Sequence, residues 1–201
     1  EKYNLWVVSD EIHCDLTRKG KSHIPMAKIM TDYPKLITCM APTKTFNLAG
    51  MAFSNIIIRD QATREEFRAR DKLFGMVNPL SLTAAKAAYD KGGPWLEELR
   101  DYLDGNFAFV QEFLSLELPE AVMNISDATY LAWVDLGRCL PDVADLPGFF
   151  ANEAGVLLEG GNSLFVDNAE GYIRLNLAMP RSMIQTGLER IRDSIRRHRK
   201  S

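Results

Sequence analysis

The chain has 201 residues with 24 basic and 27 acidic side chains, a formal charge of −3, and 46% hydrophobic and 25% charged residues. This composition excludes a disordered chain, and the near-neutral balance gives no global reason to bind nucleic acid or an acidic membrane surface. The longest uncharged stretch, Leu73 to Ala85, is 13 residues long and carries glycine, asparagine, proline and serine, too short and too polar to span a bilayer.

The first residues, Glu1-Lys2-Tyr3-Asn4, run directly into the apolar Leu5-Trp6-Val7-Val8, with no initiator methionine and no basic segment leading into an apolar signal region. They read as a chain cut just before a strand. Three cysteines, Cys14, Cys39 and Cys139, are odd in number and widely spaced, the pattern of reduced thiols in a cytoplasmic protein.

In chain order, Leu5–Val8 and Leu36–Met40 are short, almost wholly apolar runs, as expected of strands buried on both faces. Ala52–Ile58 is a third strand candidate. Only eleven residues, Ala41–Met51, separate it from the second, too few for a helical crossover, so it is expected antiparallel to its predecessor. Thr63-Arg64-Glu65-Glu66 has capping-box spacing and predicts a helix reaching about Leu73. Asn78-Pro79 supplies a cap and a first-turn proline for a helix to about Asp90. After Lys91-Gly92-Gly93, Pro94 opens a long helix ending before Pro119, with Leu96, Leu99, Leu103, Phe107, Val110 and Leu114 on one stripe. Tyr130–Asp135 and Tyr172–Ala178 read as strands, with a shorter one near Val156–Leu158. Gly148 to Ala154 and Arg181 to Arg199 read as helices, the last with Met183 or Ile184, Leu188, Ile191 and Ile195 on its apolar face. The organisation expected is residues 1–93 as part of a larger α/β domain, 94–118 as an interdomain helix and 119–201 as a smaller α/β domain.

Ligand sites of open α/β sheets lie beyond the carboxyl ends of strands, and Asp10 and Lys44 occupy two such positions. Lys44 sits in the small-residue loop Ala41-Pro42-Thr43-Lys44-Thr45, where desolvation would favour a neutral, nucleophilic amine.

Ser9-Asp10-Glu11-Ile12-His13, Thr43-Lys44-Thr45-Phe46-Asn47-Leu48-Ala49-Gly50 and Tyr172-Ile173-Arg174-Leu175-Asn176-Leu177-Ala178 together resemble the fold-type I pyridoxal-phosphate enzymes of the class I/II aminotransferase superfamily. Within it they are most similar to cystathionine β-lyases of the MalY/PatB type. The resemblance implies a mixed, mainly parallel sheet in a large domain followed by a smaller C-terminal domain. It implies a homodimer acting on sulfur amino acids with pyridoxal 5'-phosphate as cofactor. It makes Lys44 the Schiff-base lysine and proton carrier, and Asp10 the partner of the pyridinium nitrogen. His13 stands where many aminotransferases place a tyrosine against the 3′-oxygen. Thr43 becomes a cofactor neighbour, and Arg174 the bidentate holder of the substrate carboxylate.

Two positions depart from the family pattern. Ala41 stands where a phosphate-binding serine is frequent, and Ala52 where many aminotransferases have an arginine. The match covers only the C-terminal half of the family's length, so the phosphate-cradling helix start and the ring-stacking aromatic are expected outside these residues. The Asn78-Pro79-Leu80-Ser81 turn is a candidate for reaching a dimer mate's site. On its own the half-protein is expected to bind cofactor weakly and to expose sheet edges.

Other readings are an aminotransferase sharing the same early chemistry and a non-catalytic interaction protein on the same fold. Nucleic-acid binding through Arg190, Arg192, Arg196, Arg197, Arg199 and Lys200 competes with a simple solvated helix face. His13, Cys14, His23 and Cys39 lack the paired spacing of a zinc site.

Overall fold

The computed structural model describes residues 2–70, 77–164 and 169–200. The chain divides into two compact units, Glu1–Arg100 and Asp101–Ser201, and its architecture is mixed α/β in both.

In the first unit β1 (Val7–Asp10) pairs in parallel with β2 (Leu36–Met40), Val7 opposite Leu36 and Asp10 opposite Cys39. The connection carries the single turn α1 (Met26–Ile29). β2 then leads through α2 (Pro42–Thr45) and a 3₁₀ turn, Ala49–Met51, into β3 (Asn55–Ile58). β3 runs antiparallel to β2, Ile37 opposite Ile58, as the short connection requires.

β2 has the predicted bounds, whereas β1 begins two residues later than its apolar run. Its ladder opens with the Val7 amide donating to the Lys35 carbonyl, so Leu5 and Trp6 precede any partner strand. They are 62% and 52% exposed and Val8 is 63% exposed, so β1 is not buried on both faces.

α3 (Gln61–Arg70) is capped differently from the prediction. Asp60 Oδ2 accepts from the Thr63 amide at 2.8 Å, which makes Asp60 the N-cap and puts Thr63 in the first turn. The predicted extension to Leu73 lies outside the described residues. α4 (Pro79–Lys91) starts as expected, Asn78 Oδ1 accepting from the Leu80 amide at 2.9 Å with Pro79 in the first turn.

α5 (Gly93–Glu117) begins in the first unit and continues into the second. Of its predicted stripe Leu103, Phe107, Val110 and Leu114 are buried. The same stripe buries Asn106, whose Nδ2 donates to the carbonyls of Leu177 (2.9 Å) and Met179 (3.2 Å) while Oδ1 accepts from Arg181 Nε (3.1 Å). Every polar atom of this amide is thereby engaged, as burial demands.

The second unit is a four-stranded antiparallel sheet in the order β4-β5-β7-β6, made of β4 (Val122–Met123), β5 (Leu131–Asp135), β6 (Glu159–Gly160) and β7 (Tyr172–Asn176). It is covered by α6 (Leu146–Ala154) and α8 (Arg181–His198), with the short α7 (Gly161–Leu164) after β6. Val156–Leu158 is not a strand: Leu157 is 90% exposed, and pairing starts at Glu159 and Gly160, opposite Arg174 and Ile173. On α8 Ile184, not Met183, joins Leu188, Ile191 and Ile195 in a core that includes Phe107, Val134, Phe150 and Ile173. The outer arginines of α8 are engaged with acids, Arg192 and Arg196 with Glu117 and Arg199 with Glu120. No helix among the described residues is long and apolar enough to cross a membrane.

Candidate active site

Because β1 and β2 are parallel neighbours, their carboxyl ends share one edge of the sheet, and that edge carries Asp10 and Lys44. Asp10 is the last residue of β1 and is exposed; one carboxylate oxygen accepts from the Ile12 amide at 3.3 Å. Lys44 lies four residues past β2 on the single turn α2. Pro42 and Thr45, one turn apart, share the buried face of α2 and leave Lys44 on the exposed one. The desolvation expected of the small-residue loop is therefore not supplied by the described residues. The Lys44 amine makes no hydrogen bond or ion pair among the described residues.

The turn bearing Lys44 is nonetheless firmly seated. Thr45, 1% exposed, donates from Oγ1 to Asp15 Oδ2 at 3.0 Å, joining α2 to the segment that follows Asp10. The Glu11 amide donates to the Cys39 carbonyl at 2.8 Å, tying the same segment to β2. Phe46 packs 5.7 Å from the Trp95 ring and lies so close to Gly92 that a Cβ there would collide with it. Thr43 is half-buried, and its carbonyl accepts from the Leu48 amide at 2.9 Å. Ala41 caps α2 without a side-chain hydrogen bond.

His13 is half-buried in the turn after Asp10, its carbonyl accepting from the Leu16 amide at 3.0 Å. Glu11 is a residue that sequence reading missed. Its buried carboxylate accepts from Ser9 Oγ (3.0 Å) and the Met26 amide (2.9 Å) and pairs with His23 Nε2 (2.8 Å). Nothing in the sequence distinguishes it from a surface acid beside Asp10. Burial pushes the Glu11 carboxyl up, but the bonds to His23, Met26 and Ser9 outweigh that and hold it below its ordinary value.

A folded-state value below the unfolded one of about 4.3 stabilises the fold at higher pH, and the contribution is lost as pH falls through the lowered value. Thermal melts across the acid range are expected to show the wild type losing stability more steeply than Glu11→Gln, whose side chain does not titrate.

Glu11 also lines a cavity of about 330 Å³ with Cys14, Asp15, His23, Thr38, Met40 and Ile57. Thr38, Met40 and Ile57 face one side of the sheet, while Asp10 is paired with Cys39 on the other. The cavity therefore does not belong to the Asp10–Lys44 edge. Burial, with Asp15 nearby, pushes the Cys14 thiol up to about 11, so it is protonated and unreactive near neutrality.

Arg174 belongs to the second unit, at the middle of β7, opposite Trp133 of β5 and Glu159 of β6. Its side chain is 32% exposed, and Nη2 forms an ion pair with Glu159 Oε2. Nε is buried with no hydrogen-bond partner among the described residues. Nearby Trp133 stacks on Tyr172 at 5.2 Å.

Residues 1–191 match the model of a family described as aminotransferase class I and II. The chain is 40% identical to cystathionine beta-lyase PatB of Bacillus subtilis over 198 residues, which cover 96% of this chain and 51% of that protein. It is 31% identical to the protein MalY of Escherichia coli, over 98% of this chain and 50% of that one. A PLP-bound C-S lyase from Staphylococcus hominis superposes with a TM-score of 0.91 at 46% identity, covering 96% of this chain and 51% of that structure. The chain spans about half the length of the curated relatives it matches.

Proposed function

Because this chain belongs to the class I and II aminotransferase family, we propose that it forms part of a pyridoxal-phosphate-dependent carbon–sulfur β-lyase acting on sulfur amino acids. The observation that carries the reading is an amine without a counter-ion, Lys44, and a carboxylate, Asp10, at one edge of two parallel strands. It is joined to 40% identity with a cystathionine β-lyase.

The chemistry of these groups fits the cofactor. Asp10 has an oxygen without a hydrogen bond among the described residues, able to accept from a protonated ring nitrogen. Lys44 has no hydrogen-bond or ion-pair partner among the described residues, which leaves its amine open to a carbonyl. When bound, pyridoxal phosphate supplies an aldehyde that captures amines and a ring that accepts electrons released at the substrate α-carbon.

Lys44 Nζ would take the substrate α-proton and return it to the sulfur as the β-carbon–sulfur bond breaks, so that a thiol leaves. The Asp10 carboxylate would hold the proton at the ring nitrogen, with His13 and Thr43 as further residues that would hold the cofactor. Arg174 grips the substrate carboxylate through its planar fork. Neither Ala41 nor Ala52 has a side chain that can bond a phosphate, so the phosphate would rely on other groups. A homodimer in the cytoplasm is part of the same reading.

The test is product identity, using the full-length protein with pyridoxal phosphate and cystathionine. Pyruvate, ammonia and homocysteine in equal amounts are expected. A new amino acid from an added keto acid, without pyruvate, overturns the lyase in favour of an aminotransferase, the alternative the family model carries. No reaction with either overturns both.

A further inference from the structure

We infer that Glu159 is a built-in competitor for the substrate carboxylate at Arg174 and thereby sets how tightly amino-acid substrates are held; this rests on the reading of Arg174 as the carboxylate site.

The argument starts from the donors of the guanidinium. Nε and Nη2 lie on the same edge of the plane, the pair a carboxylate engages side-on with two parallel bonds. Here Nη2 is taken by Glu159 Oε2, while Nε is buried with no partner among the described residues. The edge is therefore half satisfied. A free carboxylate that spans both donors makes two charge-assisted bonds where Glu159 makes one, and it leaves no buried donor unmet.

Glu159 is also placed to withdraw. It stands directly opposite Arg174, so the two side chains share a face of the sheet. It lies on β6, a two-residue strand at the sheet's edge, and its side chain is 53% exposed. An ion pair open to solvent to that degree is weak, and the released carboxylate is rehydrated where it stands. Arg174, by contrast, is at the centre of β7, paired on both sides by β5 and β6. Exchange therefore moves the glutamate and leaves the arginine in place. The ligand class is a monocarboxylate with its two oxygens free, as in an α-amino acid.

The test uses the full-length holoenzyme and three variants, E159Q, R174Q and the double substitution. It reads KM for cystathionine and the inhibition constant of acetate as a non-reacting carboxylate. R174Q is expected to raise both constants. E159Q is expected to lower both by about 2- to 5-fold, the range of a solvent-exposed ion pair, and to have no effect in the R174Q background. General damage to β6 would raise KM, so the direction separates competition from a structural role. If R174Q raises KM while E159Q leaves it unchanged or raises it, the competitor role of Glu159 is overturned and the reading of Arg174 stands. If R174Q leaves both constants untouched, that reading falls and this inference with it.

Discussion

Lys44→Ala in the full-length holoenzyme is expected to lower the rate of cystathionine cleavage by at least ~10³-fold. Loss of a positioned proton carrier alone costs about 10²- to 10⁴-fold, and under the proposed function the same amine would also anchor the cofactor covalently. Borohydride treatment followed by mass spectrometry is expected to find cofactor attached to the wild-type chain and none attached to the variant. Stability should hardly change. Lys44 lies on the exposed face of α2 and makes no bond among the described residues, while the turn is held by Pro42, Thr45 and Phe46. Exposed substitutions away from caps and ion pairs stay within about 0.5 kcal/mol. A variant that retains cleavage within tenfold of wild type would remove Lys44 from the chemistry.

The largest effect on stability is expected at Phe150. Its ring is 0% exposed, meets the Phe149 ring edge-on at 5.2 Å, and belongs to the cluster containing Val134, Ile173, Leu188 and Ile195. Phe150→Ala deletes an aromatic ring from a closely packed interior, a change that costs about 3–5 kcal/mol. Amide exchange at Leu131–Asp135 and Tyr172–Asn176, followed in urea, reports the second unit directly. Destabilisation below about 1 kcal/mol would mean that the surrounding side chains collapse into the space.

What could be read from the residues alone follows a physical division. β2 emerged with its full bounds because Leu36 and Thr38 are buried, so hydrophobicity and position agree. At Leu5 and Trp6 the same signal misled, because apolar residues mark a surface meant to be covered, and in this chain they are exposed. The short strand expected near Val156–Leu158 lies just beyond those residues for another reason. A strand exists where a partner's hydrogen bonds are available, and β7 offers them to Glu159 and Gly160 instead. The placement of Asp10 and Lys44 past the carboxyl ends of two neighbouring strands was legible from the apolar runs that precede them. Glu11 was not, since its importance comes from Ser9, His23 and Met26 converging on it, the last two from well along the chain. Asn106 occupies the apolar stripe of α5 three residues after Leu103 and four before Val110. A polar residue at such a phase is itself a signal of a buried hydrogen-bonding duty.

The order β4-β5-β7-β6 sets when the second unit can assemble. β7, the strand that binds β5 to β6, is the last of the four to be synthesised, and α8, which supplies Ile184, Leu188, Ile191 and Ile195 to the interior, comes later still. A nascent chain halted on the ribosome before Tyr172 therefore holds two strand fragments without their shared neighbour and an apolar face without its covering helix. Vectorial synthesis cannot close this unit stepwise, and chaperone capture of such arrested chains should cease once α8 has emerged.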